Sequence, residues 1–264
     1  MTMQPILSVK DLVVAYGESV ILDGVSLEVK PSEVFVILGG SGCGKTTLMR
    51  AMVGLVPPRA GTVEIDGDEI SAEAGVPFGQ LSRKIGVMFQ SGALFGSMSL
   101  LENVRLPLEE FTNLPPDAMD WIARLKLRLV GLDAFVSHLP SEISGGMRKR
   151  AAIARAMALD PKILFLDEPS AGLDPITSAE LDALIRELAE SLSITFLVVS
   201  HELASIEAIA DRAILLDREV KGVVAEGTPA ELRDHPTCDL ARRFFRREVA
   251  PAAARDQSQG RNKR

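Results

Sequence analysis

Cysteine is scarce in this sequence, which holds two among its 264 residues. Cys43 and Cys238 lie far apart and match no metal-binding spacing, so the pattern excludes a disulfide scaffold and a cysteine-rich zinc site. We therefore expect a protein of a reducing compartment, where free thiols persist.

Long apolar runs are also lacking. None approaches the roughly 18 residues that a membrane-spanning helix requires. The first segment, MTMQPILSVKDL, has no basic region followed by an apolar run, so we do not expect a signal peptide. The sequence predicts a soluble, cytoplasmic chain, which could serve a membrane only as a peripheral subunit.

A positive net charge is absent, since the chain carries −7 at neutral pH. This balance argues against a nucleic-acid partner. Basic residues nevertheless collect near the end, where residues 242–264 hold eight basic and two acidic side chains. Because residues 251–264 lack apolar periodicity, we predict a disordered basic tail there, which either aids solubility or contacts a partner or lipid headgroups.

Short β-rich runs alternate with helical segments along most of the chain. Runs such as KILFLD and ITFLVV are typical of strands buried on both faces of a parallel sheet. The alternation predicts an α/β fold with crossover connections. A helical block at about residues 92–155 interrupts it, and we interpret this block as an inserted subdomain.

Apolar spacing predicts the buried faces of two helices. The first face is formed by Ile122, Leu125, Leu129 and Leu132. The second is formed by Leu181, Leu184, Ile185 and Leu188.

A phosphate-binding loop is indicated by the segment VFVILGGSGCGKTTLMRAM, which matches the pattern G-x-x-x-x-G-K-[ST] between a strand and a helix. Glycines let backbone N–H groups approach phosphate oxygens, Lys45 supplies a charge, and Thr46 offers a hydroxyl to Mg²⁺. The segment predicts ATP and Mg²⁺ as cofactors, although kinases, GTPases and motors share this loop. The predicted nucleotide-binding residues are Gly39, Gly40, Ser41, Gly42, Cys43, Gly44, Lys45, Thr46 and Thr47.

Polar side chains follow three further apolar runs. Asp167 and Glu168 end KILFLDE. Stability does not explain two carboxylates at the tip of a buried strand, because each one costs free energy to desolvate. We predict that Asp167 reaches the Mg²⁺ site beside Thr46, while Glu168 orients or deprotonates the attacking water. His201 and Gln90 end two other runs; His201 could contact a γ-phosphate, and Gln90 could bind Mg²⁺ or hold water.

The segment EISGGMRKRAAIARA predicts a helix that begins with Ser144, Gly145 and Gly146. Small residues at a helix start leave backbone N–H groups free to face an anion. The sequence alone leaves open whether that anion is bound by this chain or by another.

These motifs together resemble the nucleotide-binding subunit of ABC transporters over about residues 6–235. The resemblance implies a P-loop NTPase core, an N-terminal antiparallel β subdomain and the helical insert, within a domain of residues 1–235. It adds Tyr16 as an adenine-stacking residue, the signature Ser144-Gly145-Gly146, and Asp174 at the end of SAGLD. The signature usually reads Leu-Ser-Gly-Gly-Gln, and Ile143 and Met147 depart from it here.

In this family two cassettes pack head to tail, and each signature covers the γ-phosphate held by the other cassette. The resemblance therefore implies a second copy of the chain as a partner, with the anion at Ser144 being ATP on that copy.

A narrower resemblance is carried by MFQSGALFGSMSLLENVRLPL, by the Met after Ser-Gly-Gly, and by GLDPITS. These segments look like the ATPase of Mla-type phospholipid transporters. That likeness implies a permease, an MCE-domain lipid-binding protein and a small STAS-domain protein as partners, at the cytoplasmic face of the inner membrane. It also implies that residues 236–250 extend onto the partner cassette.

Three other functions compete with lipid transport. A cassette for a polar solute such as an amino acid fits the same motifs. A non-transport ABC protein of DNA repair or chromosome structure fits less well, because the interval from Gln90 to Ser144 has no heptad array and no cysteine cluster. A small-molecule kinase leaves the signature and His201 unexplained.

Overall fold

The computed structural model describes residues 4–71 and 78–246. Its strands form two sheets, one of four strands and one of six. The strands are β1 (Leu7–Tyr16), β2 (Ser19–Val29), β3 (Val34–Gly39), β4 (Ala60–Ile65), β5 (Asp68–Ser71), β6 (Ile85–Met88), β7 (Ile163–Asp167), β8 (Thr195–Val199), β9 (Arg212–Asp217) and β10 (Gly222–Gly227).

The helices lie between and after these strands. They are α1 (Lys45–Met52), α2 (Phe78–Lys84), α3 (Leu100–Phe111), α4 (Pro116–Leu129), α5 (Gly145–Ala156), α6 (Pro175–Leu192), α7 (Leu203–Ile209), α8 (Pro229–Asp234) and α9 (Asp239–Arg246). The three helices α3, α4 and α5 all lie between β6 and β7. The described part of the chain contains no helix long and apolar enough to cross a membrane.

The six-stranded sheet has the order β10-β9-β3-β8-β7-β6. Its pairs are parallel except at the edge, where β10 runs antiparallel to β9. The four-stranded sheet is antiparallel, in the order β2-β1-β4-β5. The predicted fold class, an α/β core with an N-terminal antiparallel sheet and a helical insert, is confirmed.

The large sheet is buried on both faces, and its strands divide their side chains between two apolar clusters. Along β3, Val34, Val36 and Leu38 belong to one cluster, with the helices of the insert and α6. Phe35 and Ile37 point the other way, toward α1 and the antiparallel sheet. Successive side chains along β3 thus alternate between the two faces of the sheet, and each face packs against a different set of helices.

Local chemistry defines where the helices begin. At α3, Ser99 and Glu102 form a reciprocal capping box, which satisfies two N–H groups of the first turn. At α6, Asp174 caps the helix and Pro175 stands at its first position, where a missing N–H has no cost. The buried face of α6 includes Leu181, Ile185 and Leu188, as predicted.

The predicted buried face of α4 is wrong in part. Leu125 is 54% exposed, and Met119, Ala123, Lys126 and Leu127 are buried instead. The helix packs against α3 and α5 through a face that includes the small side chain of Ala123. Lys126 lies inward because its ammonium pairs with Asp160, which apolar spacing cannot reveal.

Several elements have no counterpart in the sequence predictions, namely β5, β10, α2, α7, α8 and α9. The proposed extension at residues 236–250 contains α9, while its last residues and the predicted basic tail at 251–264 lie outside the described residues.

Candidate functional site

The phosphate loop connects β3 to α1, as the sequence predicts. Gly39 and Gly44 have φ values of 149° and 100°, which favour glycine. A Cβ at Gly39 would lie 2.7 Å from the carbonyl oxygen of Leu216, and one at Gly44 would lie 2.8 Å from Leu22 Cδ2. The two glycines are therefore required both by backbone conformation and by space.

The first turn of α1 faces this loop. Lys45 is buried, and its Nζ donates to the carbonyl oxygens of Gly39 at 2.9 Å and Gly40 at 3.2 Å. Among the described residues, no side chain caps the start of α1. The helix therefore offers uncapped N–H groups and its positive end to an anion lying on the loop.

Thr46 and Asp167 meet beside the loop. The Thr46 hydroxyl Oγ1 donates to Asp167 Oδ1 at 3.1 Å, across the gap between α1 and the end of β7. Burial raises the pKa of the Asp167 carboxyl, while the Thr46 hydrogen bond opposes this rise. A hydroxyl and a buried carboxylate held together in this way are hard oxygen ligands of the kind that Mg²⁺ prefers.

Glu168 follows directly at the tip of β7. Its Oε1 lies 2.8 Å from His201 Nδ1, and its backbone N–H donates to Val199 O at 2.9 Å. Glu168 adopts a left-handed conformation with φ of 49°, which is uncommon for a residue with a side chain. Its other oxygen, Oε2, is buried and has no partner among the described residues. One carboxylate oxygen is thus held, and the other is free to accept a hydrogen bond.

These groups line one cavity of about 740 Å³. The parallel order of β3, β8, β7 and β6 brings their carboxyl ends to one edge of the sheet. The cavity is lined by Ile21, Gly39, Gly40, Ser41, Gly42, Gly44, Lys45, Thr46, Thr47, Gln90, Glu168, His201 and Phe244. The structure therefore brings most of the predicted phosphate-site residues together.

Several predicted residues lie outside the lining. Asp167 is behind Thr46, to which it is hydrogen-bonded, and the signature residues and Asp174 are described below. Tyr16 ends β1 and is 48% exposed, but it is not a lining residue. Cys43 is buried in the apolar cluster under the loop, and burial raises the pKa of its thiol. Any contact of Cys43 with phosphate would therefore come from its backbone N–H.

Two lining residues were missed. Phe244 belongs to α9, and Ile21 to β2. The pair Phe244-Phe245 within a basic segment was a visible signal, since two adjacent aromatic residues on a helix cannot share one face. Apolar character alone, however, does not say which site such a side chain approaches.

The signature lies at the start of α5, outside that cavity. Ser144 caps the helix, its Oγ accepting from the N–H of Met147 at 3.2 Å. Gly146 lies against α6, since a Cβ there would be 2.4 Å from Thr177 Cγ2. Ser144, Gly145 and Gly146 are therefore not brought together with the phosphate loop of the same chain.

Asp174 lies beside the signature, at the start of α6. Its carboxylate accepts from the N–H groups of Ile176 and Thr177 at 3.1 Å and from the Thr177 hydroxyl. These hydrogen bonds, chiefly the one from the Thr177 hydroxyl, hold the pKa of Asp174 below its usual range. Asp174 therefore contributes to the start of α6 rather than to the cavity.

Comparison with known proteins identifies the arrangement. A family profile described as "ABC transporter" matches residues 22–171. The chain is also 41% identical, over 87% of its length, to the "Intermembrane phospholipid transport system ATP-binding protein MlaF" of Haemophilus influenzae, and covers 86% of that protein. The chain belongs to the ABC transporter family. The resemblance drawn from its motifs is confirmed, and the chain is an ATP-hydrolysing cassette that binds nucleotide.

Other members of the ABC transporter family extend the comparison. The "Probable ribonucleotide transport ATP-binding protein mkl" of Mycobacterium leprae is 40% identical over 83% of the chain, which covers 63% of that longer protein. The solved "Dimeric structure of a post-hydrolysis state of the ATP-binding cassette MJ0796 bound to ADP and Pi" has a TM-score of 0.74 and 30% identity. The match covers 84% of this chain and 98% of that one.

Proposed function

We propose that this cassette is the ATPase subunit of a transporter that moves phospholipid between inner and outer membranes. The observation that carries the proposal is the Glu168–His201 pair beside the phosphate loop, in a chain that resembles MlaF over most of its length. The site supplies the hydrolysis, and the likeness to MlaF supports lipid as the transported molecule.

Nucleotide binding is assigned to the loop and to α1. The backbone N–H groups of residues 39–47 and the positive end of α1 surround the triphosphate, and the Lys45 ammonium adds a charge-assisted contact. Tyr16 is proposed to stack on the adenine ring from outside the cavity, where its exposure leaves one face free.

Mg²⁺ fits the oxygen ligands present. Thr46 Oγ1 and Asp167 Oδ1 are already 3.1 Å apart, and Gln90 lines the same cavity. Residues 4–71 and 78–246 contain no cluster of three His, Cys, Asp or Glu side chains that would hold a metal ion alone. We assign Thr46, Gln90 and Asp167 as the residues that would hold Mg²⁺, which would polarise the phosphoryl group when bound.

Proton transfer is assigned to Glu168. Its unpartnered Oε2 can accept a hydrogen bond from the attacking water, while the His201 ring holds Oε1 and so fixes the orientation of the carboxylate. His201 has an exposed side chain and can also contact the γ-phosphate. Gln90 would hold the water or the ion from beyond the tip of the neighbouring strand β6.

A second copy of the chain completes the site in this proposal. Ser144, Gly145, Gly146 and Asp174 lie apart from their own phosphate loop, and the structural relative is a dimeric cassette. Head-to-tail pairing would bring the signature of each copy to the γ-phosphate of the other, which gives two equivalent sites.

The permease contact is assigned to the loop after Gln90. Phe95 in this loop is 52% exposed, and the loop backbone is held by the buried Asn103 side chain. Asn103 accepts from the Phe95 N–H at 2.8 Å and donates to the carbonyl oxygens of Phe95, Met98 and Ser99. An exposed aromatic ring on a fixed loop suits a cytoplasmic helix of a permease.

An MCE-domain protein, a STAS-domain protein and a peripheral position at the cytoplasmic face of the inner membrane complete the proposed system.

Transport of a polar solute is the second candidate, because the name of the mycobacterial relative mkl refers to ribonucleotides. Purification of the native complex from membranes distinguishes phospholipid transport from polar-solute transport. Recovery of the cassette with an MCE-domain protein and bound phospholipid is the expected result. Recovery with a soluble solute-binding protein and no MCE-domain protein would overturn lipid transport.

The ATPase assignment has its own test. Glu168→Gln is expected to bind ATP normally and to lose about 100-fold in turnover, because a positioned base contributes on this scale. The variant should accumulate ATP-dependent dimers in size-exclusion chromatography. Wild-type turnover would remove Glu168 from its proposed role.

A further inference from the structure

Lys149 lies in the second turn of α5 and is 8% exposed. Its ammonium donates to the backbone carbonyl oxygens of Gln90 and, at 3.3 Å, of Glu168. One buried cation on the signature helix thus contacts the backbone of two residues assigned to the hydrolytic site.

Stability alone does not explain a lysine at this position. Burial lowers the pKa of Lys149, and the nearby carboxylates of Asp167 and Glu168 oppose this fall. A buried cation without a directly bonded carboxylate costs free energy that an apolar side chain of similar length would avoid.

Lys126 provides the contrast within the same group of helices. It is 6% exposed, and its ammonium pairs with the Asp160 carboxylate. Lys126 therefore contacts no residue assigned to the hydrolytic site, whereas Lys149 contacts the peptide groups of Gln90 and Glu168.

The Glu168 peptide group is the more informative of the two acceptors. Glu168 has φ of 49°, a conformation that costs free energy and persists only when its surroundings hold it. Its carbonyl oxygen accepts from Lys149 and from the N–H of Ala171 at 3.2 Å. The lysine therefore helps to hold the backbone orientation that directs the carboxylate toward His201.

A second residue of α5 holds the adjoining loop. The Arg155 guanidinium donates to the carbonyl oxygens of Gly92 at 2.8 Å and Ala93 at 2.7 Å. Arg155 thus stabilises the loop after Gln90 but does not contact Glu168. Lys149 contacts both Gln90 and Glu168.

We propose that Lys149 is a positioning residue that couples the signature helix to the catalytic carboxylate of its own chain. This inference rests on the proposed roles of Gln90, Glu168 and the signature. When α5 engages the nucleotide held by the partner copy, Lys149 transmits the position of α5 to Gln90 and Glu168. Each site is thereby made sensitive to the nucleotide in the other.

The test compares three variants of the full-length chain with wild type. Lys149→Met removes the ammonium and keeps the length, Lys149→Arg keeps a cation, and Lys126→Met is a control of matched burial. For Lys149→Met we expect a fall of about tenfold in kcat, on the scale of a misplaced catalytic group, with ATP affinity within about twofold of wild type. The Hill coefficient for ATP should fall toward one, and Lys149→Arg should restore most of both.

A purely structural lysine predicts a different pattern. Lys149→Met and Lys126→Met would then show similar losses of melting temperature, with unchanged kcat and Hill coefficient in the folded fraction, and that result would overturn the proposal. If Lys149→Met does not fold, Lys149→Gln replaces it under the same criteria, since it removes the charge and keeps a polar donor for the buried carbonyl oxygens.

Glu168→Gln, measured alongside, separates this proposal from the proposed function. A Glu168→Gln variant with normal turnover means that the hydrolytic site is misassigned. An inactive Glu168→Gln variant together with a normal Lys149→Met variant means that only the role of Lys149 is wrong.

Discussion

The helices α1 and α5 both begin at small residues that suit an anion, yet their starts are built differently. No described side chain caps α1, whose first residue, Lys45, is buried in the same cavity as Glu168 and His201. Helix α5 is capped by its own Ser144, and its first turn lies against α6. One helix start is surrounded by the groups that complete a site, and the other is not.

This difference supports the proposal that one chain carries two halves of a site. The start of α1 carries Lys45 itself and lies beside the strand tips that hold Asp167, Glu168 and His201. The glycines at the start of α5 lie apart from the cavity that holds Lys45, Glu168 and His201, so a phosphate there would need those contacts from a second copy. Substitutions at the two helix starts are therefore expected to behave differently.

The largest expected contrast is between Lys45→Ala and Ser144→Arg. Lys45→Ala should lose ATP binding, because a charge-assisted contact to phosphate is removed. Ser144→Arg should bind ATP normally but lose about 100-fold or more in turnover, since a long side chain blocks donors that face the partner's phosphate. Binding of a fluorescent ATP analogue and steady-state hydrolysis measure the two effects.

Mixing these two variants adds a control. Each mixed dimer should regain one intact site, formed by Lys45 of one copy and Ser144 of the other. Loss of ATP binding by Ser144→Arg alone would contradict the separation of the two helix starts.

A smaller effect should distinguish Gly145 from Gly146. A Cβ at Gly146 would lie 2.4 Å from Thr177 Cγ2, whereas one at Gly145 would lie 3.6 Å from Leu173 Cδ2. Gly146→Ala should lose about 1–3 kcal/mol in the free energy of unfolding, as overpacked sites do. Gly145→Ala should be as stable as wild type by chemical denaturation and yet hydrolyse ATP more slowly, because its methyl group separates α5 from the partner's phosphate. Normal hydrolysis by Gly145→Ala would argue against that contact.

The cap of α5 should contribute less again. Ser144→Ala removes the acceptor for the Met147 N–H, and loss of such a cap costs about 1 kcal/mol. Ser99→Ala, which removes the corresponding cap of α3, is the matched control. Thermal unfolding should detect both losses, but only Ser144→Ala should raise the ATP concentration needed for half-maximal hydrolysis. If Ser144→Ala and Ser99→Ala hydrolyse ATP equally well, Ser144 only caps α5 and does not contact the nucleotide.

The smallest effect is expected at Met147, where the usual family signature has Gln. Met147 is half-buried and packs at the edge of the larger apolar cluster. Met147→Gln should change the free energy of unfolding by about 0.5 kcal/mol, as substitutions at partly exposed positions commonly do, and leave turnover near wild type. A strong gain of turnover, measured by phosphate release, would mean that the glutamine has a role that methionine cannot perform.

Residues at the ends of parallel strands were the most predictable part of the site. Asp167, Glu168, Gln90 and His201 could be placed together from sequence because parallel strands share one carboxyl edge. The loop glycines were predictable for a similar reason, since their spacing reflects backbone geometry.

Residues whose role depends on packing between distant segments were not predictable. Lys149 and Lys126 carry the same charge on neighbouring helices, and only the three-dimensional structure shows which backbone or carboxylate each one contacts. Leu125 has the spacing of a buried residue but lies outside, because α4 turns Ala123 and Lys126 inward. Which side chains are buried, and which groups the lysines contact, depends on residues far away in the sequence. Local periodicity carries no information about those residues.

The four hydrogen bonds of the Asn103 side chain have a consequence for the thermodynamics of association. They fix the Phe95 loop before any partner arrives, so little backbone entropy remains to be lost on docking. A partner that binds the Phe95 ring therefore meets a rigid, preorganised surface, and the free energy of the contact is retained as affinity. Slow dissociation, rather than fast capture, is the kinetic behaviour that such a surface favours.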